Sequence, residues 1–89
     1  MARIEMGAAD IAGYGPDIDN GRAFYELGLM YAAGRQVELD LVTAHKWLNV
    51  AVFKGCREAA ERRTELAGEM AADEVAAAQR EARMFLQLH

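Results

Sequence analysis

Apolar residues recur at steps of three and four along most of the chain, and this helical period is the feature that most limits how the chain can fold. It is clearest in the middle of the sequence, at Leu41, Ala44, Leu48, Ala51 and Val52. Alanine, which favours helices and is depleted from sheets, supplies about a fifth of the residues. The sequence therefore predicts an all-α fold.

The first two predicted helices have well-marked ends. The first covers residues 22–33 and stops at Gly34, since glycine commonly follows the last turn of a helix. The second starts after Asp40, whose carboxylate can accept hydrogen bonds from the free N–H groups of the first turn, and it stops at Gly55. The connection between them is short, which favours an antiparallel helical hairpin.

Two further helices are expected over residues 57–70 and about 72–88, so the fold should contain about four helices in antiparallel hairpins. Residues 1–20 contain three glycines and the only proline, and they show no sustained period. We expect them to form an irregular N-terminal leader. The predicted helical domain then covers residues 21–89.

Size and charge exclude several classes of protein. A chain of 89 residues allows one domain, and a formal charge of −4 without clustered Lys and Arg does not favour nucleic acid as a partner. No segment approaches the roughly 20 apolar residues of a membrane span, so direct membrane insertion is not expected. Cys56 is the only cysteine, and Glu5 and Asp10 interrupt the apolar stretch that a signal peptide needs. These features predict a cytoplasmic protein.

A spaced set of small, aromatic and acidic residues runs through the first two helices and into the third. This pattern resembles a Sel1-like repeat, a relative of the tetratricopeptide repeat, and it extends over about 37 residues. The positions that carry the resemblance are Ala23, Leu27, Gly28, Tyr31, Gly34, Val37, Asp40, Ala44, Trp47, Ala51, Gly55 and Ala59.

Gly28 also has a physical reason to be present. In the middle of a helix, glycine is less favourable than alanine by roughly 0.5–1 kcal/mol, so its use indicates that another backbone approaches closely. Ala44 and Ala51 of the second helix would be the small residues opposite it. Tyr31 and either Trp47 or Leu48 would fill the remaining volume between the two helices.

The resemblance implies one complete repeat followed by a degenerate one, which would serve as a polar C-terminal cap. It also implies a non-catalytic module for protein–protein interaction, acting as a small adaptor or as an accessory subunit of a larger assembly. A single repeat is fewer than the three or so that a free-standing array usually needs. The expected partner is therefore another protein or a larger complex, and a homo-oligomer is possible.

A stripe on the first helix is the predicted partner site. Arg22, Tyr25, Leu29 and Ala32 lie at steps of three and four, and the resemblance places them on the concave face, where Arg22 would select an acidic group of the partner. The alternative is that the chain's own leader covers this stripe. The leader residues that would do so are Ile4, Met6, Ile11 and Tyr14.

Other functional classes have less support. His45, Cys56 and His89 are too few for a four-ligand zinc site, and no HExxH, CxxC or glycine-rich phosphate loop occurs, so no metal, cofactor or catalytic residue is expected. The enzymatic alternative is a hydrolase-like activity related to cysteine-rich Sel1-like proteins, but those proteins carry a cysteine pair in each repeat. A membrane-surface role would use Arg80 and Arg83, which the acidic residues of the same helix oppose.

Overall fold

A computed structural model describes residues 21–88 of the chain. The predicted leader over residues 1–20, including the four residues expected to cover the stripe, and His89 lie outside this part. The described chain forms four helices and no strand: α1 (Gly21–Ala33), α2 (Leu41–Phe53), α3 (Glu58–Ala67) and α4 (Ala72–Leu88). The prediction of an all-α fold with about four helices is confirmed. No helix within residues 21–88 is both long enough and apolar enough to cross a membrane.

Helices α1 and α2 pack closely and in opposite directions. A Cβ atom on Gly21 would lie 2.9 Å from the carbonyl oxygen of Ala51, near the end of α2. One on Gly28, about two turns later in α1, would lie 2.8 Å from the side chain of Leu48 and 3.2 Å from the carbonyl oxygen of Ala44. A later residue of α1 therefore contacts an earlier part of α2, so the two helices are antiparallel. This is the close approach expected for Gly28.

The ends of α2 are formed by the residues that the sequence indicates. Asp40 caps the N-terminus, because its carboxylate accepts hydrogen bonds from the backbone N–H of Thr43 at 3.1 Å and from the Thr43 hydroxyl at 2.8 Å. Gly34 and Gly55, which follow α1 and α2, have φ angles of +68° and +98°. Glycine adopts such angles without steric cost, so both positions suit the turns that end these helices.

Helix α3 is shorter than the predicted span of residues 57–70. It ends at Ala67, and the N–H of Gly68 donates to the carbonyl oxygens of both Thr64 and Glu65. The N–H groups of Glu69 and Met70 then bond to carbonyls three residues back, which gives a tight turn instead of further α-helix. The α-helix therefore ends in a tight turn that contains Gly68.

Helix α4 begins at Ala72 and packs mainly on α2 rather than on α3. The aromatic core explains this arrangement, since Phe85 of α4 contacts Phe24 of α1 and Trp47 of α2. Because α1, α3 and α4 all pack against it, α2 is the central helix of the fold.

Candidate interaction surface

The predicted partner stripe of α1 lies on the side of that helix that faces α3. At its beginning, an Arg22 guanidinium nitrogen lies 3.4 Å from a carboxylate oxygen of Glu58, the first residue of α3. At its other end, Leu29 and Ala32 border a depression whose remaining lining includes Leu66 of α3. The stripe and α3 thus form a shared surface.

This depression, which we call the α1–α3 cleft, has a volume of about 120 Å³. Its buried lining residues are Leu48 and Leu66, and its partly exposed ones are Leu29 and Ala32. Its rim is charged and predominantly acidic: Glu65, Glu69 and Arg62. An Arg62 nitrogen lies 3.4 Å from a Glu65 carboxylate oxygen, so the arginine of the rim is already paired.

The four residues of the stripe differ in their availability to a partner. Tyr25 and Ala32 pack partly against the protein's own hydrophobic core. Arg22 is 3.5 Å from Glu26 and 3.4 Å from Glu58, and its guanidinium carbon lies 5.1 Å from the centre of the Tyr25 ring. Leu29 is half-buried and borders the α1–α3 cleft. Of the four, Leu29 is therefore the side chain best placed to contact another molecule.

Glu58 belongs to the same exposed network. The pKa of its carboxyl group is lowered mainly by a hydrogen bond from its own backbone N–H. The Cys56 thiol and the Arg22 guanidinium lower the pKa as well. Glu58 therefore stays ionised beside Arg22. The positive charge that was expected to select an acidic partner is largely balanced within the chain.

A second set of polar residues connects α2 to α3. The side-chain amide nitrogen of Asn49 lies 2.9 Å from Nδ1 of His45, and its amide oxygen accepts a hydrogen bond of 2.9 Å from Arg63. Because Nδ1 is the acceptor, the imidazole is assigned as neutral with its proton on Nε2. Burial, followed by the positive charge of Arg63, lowers the pKa of His45.

The sequence did not reveal this network. His45 is only 2% exposed, and its hydrogen bond to Asn49 was not among the expectations from the sequence. The available signal was the four-residue spacing to Asn49, which places both side chains on one face of α2. The link to Arg63 depends on the packing of α3.

Cys56 is also buried, with 7% exposure, and its thiol donates to a Glu58 carboxylate oxygen at 3.6 Å. It lies beside an open depression lined by Arg22, Lys54 and Glu58 as well as by glycines 21 and 55. Among residues 21–88, no group of three or more His, Cys, Asp or Glu side chains is arranged to hold a metal ion. Each of the two side chains has a polar partner within the chain, Asn49 for His45 and Glu58 for Cys56.

Compared with family models, with curated proteins and with solved structures, the chain has no match in any of the three. The resemblance to Sel1-like repeats therefore rests on the spaced residues of the sequence and stays a prediction.

Proposed function

We propose that this chain is a non-catalytic protein-interaction module, a small adaptor or accessory subunit built on a Sel1-like hairpin, and that its partner occupies the α1–α3 cleft. The observation that carries the proposal is the position of Leu29. It lies half-exposed at the edge of a depression whose buried lining residues are Leu48 and Leu66. An apolar side chain of a partner can bury itself there, and central apolar contacts supply most of the affinity of an interface.

The charge around the cleft indicates what kind of partner fits. Glu65 and Glu69 lie on the rim, and Arg62 is paired with Glu65. Arg22, further along the stripe, is balanced by Glu26 and Glu58. The partner segment should therefore present an aliphatic side chain flanked by Lys or Arg, and its association should weaken as salt increases.

The burial of His45 and Cys56 supports a non-catalytic role. His45 is held by Asn49, and Cys56 donates to Glu58. A nucleophile must reach its substrate, so we expect Cys56 of the folded protein to react slowly with a mild alkylating reagent and quickly after unfolding.

Affinity capture from a lysate of the source cells tests the proposal. The variant is Leu29→Glu, which adds negative charge to the cleft, and the matched control is Leu39→Glu, since Leu39 is an exposed leucine outside the cleft. A partner that binds wild type and the control but not Leu29→Glu, while both variants keep the wild-type melting temperature, supports the cleft. Equal capture by Leu29→Glu and wild type contradicts it.

A further inference from the structure

A larger concave surface lies between α2 and α4, with a contribution from α3. Its volume is about 460 Å³, several times that of the α1–α3 cleft. We call it the α2–α4 groove. Its lining residues are Asn49, Val52, Phe53, Arg63, Gln79, Ala82, Arg83 and Leu86.

The groove is cationic, in contrast to the chain as a whole. Its charged lining residues are Arg63 and Arg83, and no Asp or Glu of the described chain lines it, whereas the complete chain has a formal charge of −4. Within residues 21–88, no hydrogen bond or ion pair joins the side chain of Arg83 to another described residue. Two positive groups therefore face a space in which the described chain supplies no anion.

A hydrogen bond to α2 holds the side chain of Arg63 in position. The one described hydrogen bond of its side chain goes to the amide oxygen of Asn49, whose amide nitrogen is in turn hydrogen-bonded to the buried His45. A guanidinium group has five N–H donors, so most of them remain for a ligand. Fixing the group in advance reduces the entropy that a ligand contact would cost.

The same groove offers apolar contact. Phe53 is 71% exposed although it is a large aromatic residue, and it lies beside the partly buried Val52 and Leu86. Exposed aromatic residues next to arginines are typical of the anchors of protein interfaces.

We propose that the α2–α4 groove binds an acidic, apolar peptide segment of a partner protein. Carboxylates of the segment would pair with Arg63 and Arg83, where a guanidinium can hold a carboxylate through two hydrogen bonds. An aliphatic or aromatic side chain of the segment would pack on Phe53. This surface differs from the α1–α3 cleft, whose rim is acidic, so the two proposals can fail independently.

Selection from a displayed library of random peptides tests the proposal, because the library samples acidic, neutral and basic segments alike. The full chain is the bait, and the affinities of the enriched peptides are then measured for wild type, Arg83→Glu, Phe53→Ala and Arg80→Glu. Arg80 is the matched control, because it is an exposed arginine of α4 that does not line the groove. Circular dichroism confirms that each variant is folded.

We expect the enriched peptides to combine Asp or Glu with large apolar residues. Their affinity should fall by at least roughly tenfold for Arg83→Glu, fall for Phe53→Ala, and stay within about twofold for Arg80→Glu. The proposal is overturned by failure to enrich any peptide, by enrichment of neutral or basic peptides, or by equal effects of Arg83→Glu and Arg80→Glu. A synthetic peptide of residues 1–20 provides a further test. If it binds the groove more tightly than the selected peptides and displaces them, the proposal is also overturned, because the occupant of the groove would then be a segment of the same chain.

Discussion

The rings of Phe24 and Trp47 stack, with centroids 5.7 Å apart and planes inclined by 17°. Phe85 of α4 meets both rings edge-on, with centroid distances of 5.7 Å to Phe24 and 4.9 Å to Trp47. Edge-on contacts of this kind contribute beyond the burial of their surface. Phe85 thus packs α4 against both helices of the α1–α2 hairpin.

Replacing Phe85 by alanine should therefore lower the free energy of unfolding. We expect a loss of about 2–3 kcal/mol, below the range for a fully buried phenylalanine because Phe85 is only partly buried. Urea denaturation followed by circular dichroism measures this loss of unfolding free energy. Leu88→Ala is the control, since Leu88 of the same helix is 78% exposed and should change the free energy by less than about 0.5 kcal/mol. Equal losses for the two variants would show that the aromatic cluster does not hold α4.

Gly28→Leu should destabilise the hairpin. The added Cβ would lie within 3 Å of the Leu48 side chain and 3.2 Å from a carbonyl oxygen, so α1 and α2 would have to move apart at a cost on the order of 1–3 kcal/mol or more. The comparison variant is Gly68→Leu, at an exposed turn with an ordinary φ of −65°, where the added Cβ would come no closer than 3.3 Å to a carbonyl oxygen of its own turn and a loss below about 1 kcal/mol is expected. A Gly28→Leu variant that melts with wild type would contradict the close approach of these helices.

The pH dependence of stability should contain a contribution from His45. Its pKa in the folded protein is lower than the value of 6.5 for an unperturbed histidine, so the unfolded chain takes up a proton first as the pH falls. The contribution of neutral His45 to the free energy of unfolding is complete above pH 6.5, and it is lost progressively as the pH falls below that value. Thermal melts between pH 7.5 and 5.5 measure the slope.

Replacing the buried histidine provides the control for this measurement. His45→Gln should flatten the slope between pH 7.5 and 5.5 even if it lowers the overall stability. A slope that survives unchanged in His45→Gln would contradict the assignment.

Much of the fold could be predicted from local signals. Asp40, Gly34 and Gly55 mark helix ends through hydrogen bonding and backbone geometry that involve only neighbouring residues. The sequence did not show which residues of α1 point into the core, because this helix is apolar on nearly every side. Phe24, which is 1% exposed, lies beside the predicted inward stripe and is among the most buried side chains of the core.

The candidate surfaces were less predictable for a physical reason. Periodicity places Leu29 on one face of α1, but the cleft beside it depends on where α3 lies. The α2–α4 groove combines Phe53 with Arg83, which are far apart in sequence and meet only because α4 packs on α2. Local patterns carry no information about such packing between helices.

The most direct test of the proposed function is to map the partner's footprint on the folded chain. Amide chemical shifts of the isotope-labelled protein are measured before and after addition of the captured partner, for wild type and for Leu29→Glu. The account predicts that the largest shifts occur around Leu29, Ala32 and Leu66 in wild type and that they vanish in Leu29→Glu. Shifts confined to other surfaces, such as the outer face of α4 at Met84 and Leu88, would contradict the assignment of the α1–α3 cleft as the partner site.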